Sequence, residues 1–152
     1  MGFHAKEEAA DVEVYLGFLV FGALTGAAAY LLYCRGIAVT KNVAALSFVF
    51  RTGKDGDWAA LNSCTGWVRH VGRFRRSGTY AFSLDCRLSK GDASVLLLDQ
   101  EKREFLHLNR YRASGSICLH RECRYSLRWE FQNATGKCVL CWENDPAKEG
   151  IT

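Results

Sequence analysis

The residues best able to do chemistry in this chain are its cysteines. Six of the seven lie beyond residue 60: Cys64, Cys86, Cys118, Cys123, Cys138 and Cys141. Four of them form two short-range pairs, Cys118-x4-Cys123 and Cys138-x2-Cys141. Two such pairs can supply four thiolates to a tetrahedral zinc ion. Zinc knuckles usually carry glycine or proline beside the pair, whereas Cys138-Val139-Leu140-Cys141 sits in a strand-like run. On an extended strand, residues three apart point to opposite faces, which works against one metal holding both thiols. An even number of cysteines in a small domain also fits three disulfides in an oxidising compartment. Reduced cysteines packed as small hydrophobes are the third reading, and they need neither metal nor oxidant. No cofactor is expected.

The histidines offer less. His107 shares a strand face with Phe105 and Tyr111, and His120 follows Cys118 closely. No motif sets a carboxylate or a serine beside either one, so no catalytic residue is assigned and the chain is not expected to be an enzyme. Asp55-Gly56-Asp57 resembles the opening of a calcium loop, but the later ligands and the closing glutamate are missing. A turn is the reading there.

A basic-aromatic stretch comes next. Trp67, Arg69, Arg73, Phe74, Arg75 and Arg76 interleave rings with cations, and Arg110 and Arg112 repeat the pattern on either side of Tyr111. Such surfaces can stack bases and hold phosphate. On a membrane-tethered protein the simpler partners are a docking protein or anionic lipid headgroups, each near-surface charge contributing ~1 kcal/mol. Nucleic acid is not the expected partner.

These groups need elements to hold them. From Val14 to Cys34 run 21 residues without a charge. As a helix they span ~31 Å, the thickness of the hydrocarbon core of a bilayer. Tyr15 sits at one end and Tyr30 and Tyr33 at the other, where amphipathic rings favour the interface, and Glu13 and Arg35 bracket the run. A secretory signal peptide would have a basic leader, and here the leader is acidic. The segment is therefore expected to be a single transmembrane helix. Within it Gly22 and Gly26 form a G-x-x-x-G pair, widened by Ala23 and Ala27. Small residues let a second helix approach closely, so this face is the expected contact with other membrane-protein subunits.

Beyond the helix, period-two alternation marks strands. Tyr125, Leu127, Trp129 and Phe131 alternate with polar residues, as do Tyr80, Phe82, Leu84, Cys86 and Leu88. Residues 44–50, 66–71, 95–98, 104–111 and 137–142 are further strand candidates, with turns at 52–57, 99–103 and 132–136 and a short helix at 57–62. About seven strands in such a length predict a mainly β fold, a small antiparallel β-sandwich or barrel-like domain. The expected division is an acidic tail over 1–13, the membrane helix over 14–34, a linker over 35–43, the β-domain over 44–143 and a tail over 144–152.

Orientation rests on two opposed signals. Arg35, Lys41, Arg51 and Lys54 follow the helix and only Lys6 precedes it, which favours a cytosolic or matrix-facing domain. The cysteines and the sequon Asn133-Ala134-Thr135 favour the opposite side. The charge rule decides the expectation. The functional expectation is a non-catalytic accessory or structural subunit of a membrane complex. Its alternative is a disulfide-bonded, glycosylated ectodomain on a signal anchor, acting in adhesion, as a receptor or as a viral surface protein.

Overall fold

The computed structural model describes residues 4–35, 39–72 and 74–144, with side chains from Val12 onward apart from Glu13. The chain divides into two units, one ending at Ala38 and one beginning at Val39. In the first, helix α1 runs His4–Cys34. Its Val14–Cys34 portion is long and apolar enough to cross a membrane. Side chains from Val14 to Leu32 are exposed around the whole circumference. Thr25 is a polar residue within this stretch, and its hydroxyl bonds back to the carbonyls of Phe21 (2.9 Å) and Gly22 (3.0 Å). That arrangement satisfies the hydroxyl within the helix itself. The helix begins at His4, so most of the expected acidic tail is helical.

The second unit holds seven strands: β1 (Val39–Ala44), β2 (Ser47–Thr52), β3 (Gly56–Val71), β4 (Gly78–Leu98), β5 (Glu104–Leu108), β6 (Ser114–Leu119) and β7 (Ser126–Asn144). All pairings are antiparallel. The long strands lie side by side in the order β3-β7-β4. β1 and β2 both pair with β3, one with each half of it, and β5 and β6 divide β4 in the same way.

Such a sheet has to fold on itself. Phe50 lies opposite Ala59, and Ala59 opposite Cys138. In a flat sheet Trp129, nine positions from Cys138, would be roughly 30 Å along the strand. The Phe50 and Trp129 rings are instead 5.9 Å apart. Phe48 and Phe131 meet across the same gap at 5.9 Å. The two halves of each long strand therefore stack face to face. Layer A consists of β1, 65–71 of β3, 126–131 of β7, 92–98 of β4 and β5. Layer B consists of β2, 56–62 of β3, 136–144 of β7, 78–88 of β4 and β6. The arrangement is an open β-sandwich and not a closed barrel.

The corners explain themselves locally. Register shifts occur near residues 61–66 of β3 and 88–92 of β4. Ser63 (φ 47°), Asn133 (φ 47°), Gly91 (φ 73°), Gly66 (φ 134°) and Gly136 (φ 142°) all have positive φ there. Asparagine and glycine tolerate that region best. Two threonines stitch the bend reciprocally: Ser63 N–H donates to the Thr135 hydroxyl and Asn133 N–H to the Thr65 hydroxyl, each at 3.0 Å. A Cβ on Gly136 would run into the Arg87 carbonyl, and one on Gly66 into that of Asn42.

The core lies between the layers. Trp129, Phe131, Leu97, Leu127, Leu140 and Val68 are fully buried, each worth about 1.5–3 kcal/mol relative to exposure. Residues 39–43, expected as linker, form most of β1. Residues 57–62, expected as a short helix, belong to β3, because pairing with β2 and β7 imposes the extended form on them. β6 falls where no strand is expected, since its Ser-Gly-Ser start lacks apolar alternation.

Candidate functional site

A buried polar cluster joins the layers. Asp57 Oδ2 accepts from Trp129 Nε1 at 3.0 Å and bonds His70 Nε2 at 2.7 Å. His70 is 2% exposed and Asp57 also 2%. Asp57 Oδ1 is buried without a hydrogen-bond partner. An aspartate–histidine pair can serve a catalytic base, but here both side chains are almost fully enclosed by the core. Its role is to tie β3 to itself across the sandwich.

A thiol pair stands elsewhere in the core. Cys86 of β4 and Cys138 of β7 are directly opposite in register. The thiol hydrogen bond from Cys138 lowers the Cys86 pKa, outweighing partial burial and the nearby Asp85 carboxylate. The same bond and burial push Cys138 far up. The structure therefore couples Cys138 to Cys86 and not to Cys141, which points out of the other face of β7. Cys118, in β6, and Cys123, in the β6–β7 connection, are both exposed. The four cysteines considered as metal ligands are thus not gathered, and no group of three or more metal-binding side chains occurs among the described residues.

The outer face of layer A is polar. Its cross-strand rows run Thr40–Arg69–Arg128–Leu96–His107 and Asn42–Trp67–Glu130–Ser94. The Arg128 guanidinium lies 5.5 Å from the Trp67 ring centre. Arg128 Nε is 3.0 Å from Glu130 Oε1, close enough for charge pairing but misaligned for a hydrogen bond. Toward β5 this face dips into a groove of about 270 Å³, lined by Asp92, Ser94, His107, Tyr111, Glu130 and Gln132 among others.

A second groove, of about 420 Å³, lies at the far end of layer B, between Lys54, Arg75, Arg76, Tyr80 and Trp142. Tyr80 Oη donates to the Arg76 carbonyl at 3.1 Å and accepts from its N–H at 3.3 Å, which fixes this segment.

The expected basic-aromatic surface is thereby split. Trp67 and Arg69 lie on the outer face of layer A, Arg75 and Arg76 at the second groove, and Arg110 and Arg112 on the β5–β6 turn. Arg73 lies outside the described residues. Phe74 is not a surface residue: it is buried, its ring edge-on to Tyr80, Phe82, Tyr125 and Trp142. Four aromatic neighbours, two from β4, one from β7 and Tyr125 just before β7, draw it inward, a contact that spacing alone does not reveal. Gly22, Ala23, Gly26 and Ala27 all sit on the exposed surface of α1.

Sequence reasoning takes Asp57 and Gln132 only as parts of turns and assigns no site role to His70, Asp92, Ser94 or Glu130. Only the polar phase of the β7 alternation marks Glu130 in advance.

No protein-family model and no curated protein matches this sequence. Among solved structures, the Yersinia pseudotuberculosis-derived mitogen is similar at 14% identity and TM-score 0.41, over 73% of this chain and 92% of that one. The enzymatically active domain of bacteriophage CBA120 tailspike protein 4 is similar at 10% identity and TM-score 0.40, over 70% of this chain. The match spans only 19% of the tailspike chain. A structure described as CBM4 is similar at 10% identity and TM-score 0.37, over 66% of this chain and 74% of that one.

Proposed function

We propose that this chain is a non-catalytic, single-pass membrane protein, an accessory or structural subunit of a membrane complex, whose β-domain docks a protein partner or an anionic lipid surface. The observation that carries the reading is the uncovered small-residue face of α1. A Cβ placed on Gly22 or Gly26 meets nothing within 4 Å. Around these glycines Phe18, Phe21 and Leu24 are also exposed. A helix apolar on every side needs lipid or other helices around it. Its small residues are where another backbone can come closest.

Gly22→Leu/Gly26→Leu is expected to reduce recovery of partner subunits when the full chain is purified from its native membrane in mild detergent. Unchanged recovery would remove helix packing from the proposal. The lipid arm of the reading rests on Lys54, Arg75 and Arg76 outnumbering Asp55 and Glu143 at one groove. Arg75→Glu/Arg76→Glu should lower binding of the full chain, held in a nanodisc, to phosphatidylserine vesicles.

One observation favours the ectodomain alternative, namely the opposed Cys86 and Cys138. Cross-strand neighbours are within reach of a disulfide. A mobility shift between reducing and non-reducing gels of the membrane-extracted protein would favour that alternative, with the domain on the oxidising side.

A further inference from the structure

We infer that the groove on the outer face of layer A is a binding site for a neutral, hydroxyl-rich ligand, a saccharide, with Tyr111 as its stacking platform. This goes beyond the membrane role proposed above and does not depend on it.

Charge balance excludes the simplest alternatives. The groove holds two carboxylates, and each already has its cation. Arg110 Nη1 donates to Asp92 Oδ1 at 3.2 Å, and Arg128 stands 3.0 Å from Glu130. An anionic ligand would meet neutralised pairs, with no bed of open cations. An apolar ligand would strip water from carboxylates and amides without replacing their hydrogen bonds, a costly exchange. Hydroxyl groups both donate and accept. They match a lining that mixes acceptors (Asp92 and Glu130), two-way groups (Ser94 and His107) and the amide of Gln132.

The rim is built in advance. The Asn109 side-chain oxygen accepts the N–H groups of both Tyr111 and Arg112 at 2.9 Å. Asn109 N–H donates to the Arg112 carbonyl at 3.0 Å. This Asx turn fixes the backbone that carries Tyr111, whose side chain is 91% exposed beside the groove. The Arg110 guanidinium stands 5.9 Å from the ring centre, and the ring, otherwise open to solvent beside a polar lining, offers a flat surface to the C–H face of a pyranose while the lining bonds its hydroxyls. The floor is rigid, because Ser94 and Glu130 are register partners on paired strands and Gln132 faces Asp92 in the same way.

The test uses the full chain in a lipid nanodisc, which avoids sugar-based detergents. Cellohexaose, mannohexaose and N-acetylchitohexaose are titrated separately by calorimetry, with inorganic phosphate as the anionic probe. At least one saccharide is expected to bind. Tyr111→Ala should weaken that binding by about tenfold or more, and Gln132→Ala should weaken it as well. Glu122→Ala, on the exposed β6–β7 connection, should leave it unchanged. Tyr111 is exposed, so an unaltered melting temperature for Tyr111→Ala separates lost binding from lost fold. Absence of heat with all three saccharides would overturn the inference. So would saccharide binding insensitive to both groove variants, or phosphate binding that Tyr111→Ala or Gln132→Ala abolishes.

Discussion

Asp57 and His70 belong to one strand, thirteen positions apart, yet their side chains bond at 2.7 Å. A straight strand would separate them by roughly 40 Å. The bond is therefore a direct product of the corner at residues 61–66, and it holds that corner shut from inside the core. Removing one partner of a buried hydrogen bond leaves the other unsatisfied, which typically costs about 1–3 kcal/mol. Asp57→Ala is expected to destabilise the domain on that scale, read as a lower urea midpoint for the full chain in detergent. It also removes the acceptor of Trp129 Nε1. Asp57→Ala and His70→Ala combined should cost less than the two separate effects taken together, because each alone strands a buried polar group. Strict additivity would mean that the pair is not energetically coupled.

The threonine stitch gives a graded prediction. Thr135→Val leaves the part-buried Ser63 N–H without its acceptor, whereas Thr65→Val leaves only the exposed Asn133 N–H. An unsatisfied buried donor costs about 1–3 kcal/mol, and an exposed one turns to water. Thr135→Val should lower the melting temperature clearly and Thr65→Val only slightly. The reverse order would show that the corner is held by something else. Thr135 also completes the sequon at Asn133, so its presence has a structural cause independent of glycosylation.

How far the sequence foretold this fold depends on the range of the signal. Period-two alternation marks Tyr80–Leu88 and Tyr125–Phe131 correctly, because one buried face writes itself directly into residue type. The turn chemistry at 132–136 is also visible, but it bends a continuing β7 where a loop between two strands was the natural reading. The Asp57–His70 contact leaves no local trace: Asp57 stands in a run of turn residues, and its partner lies a folded strand away. Phe74 misleads for the same reason, since neighbouring arginines make a core residue look like part of a basic surface.

Thiol reactivity should follow the Cys86–Cys138 pairing. The hydrogen bond that lowers Cys86 raises its thiolate fraction at neutral pH, while Cys138 stays protonated and buried. Alkylation of Cys86 by iodoacetamide is expected to begin at a lower pH than for an ordinary thiol, with Cys138 unmodified in the folded protein. Cys138→Ser keeps a donor and should preserve that early onset. Cys138→Ala removes the donor and should shift the onset to higher pH. Peptide mapping by mass spectrometry reads all three, and equal behaviour of the two variants would rule out the hydrogen bond as the cause.

Phe74 closes one end of the sandwich through edge-on contacts with four rings. Phe74→Ala is expected to cost about 3–5 kcal/mol, the usual range for truncating a buried aromatic ring. Phe74→Leu should recover much of it. Near-ultraviolet circular dichroism of the full chain should lose aromatic signal in the alanine variant, and a spectrum like that of the parent would contradict the burial.

The position of β7 has a consequence for how the protein is made. It is the middle strand of both layers, and it follows every other strand in the chain. During synthesis the apolar helix emerges ahead of the domain, and β3 and β4 remain without their shared neighbour until β7 has left the ribosome. The β1–β3–β2 and β5–β4–β6 parts can pair behind the advancing chain, but they are joined to each other only when β7 arrives. For that interval two long strand edges stand open, the exposure that invites pairing with other chains. Early delivery of the helix to a membrane would spread nascent chains over a surface and keep those edges apart.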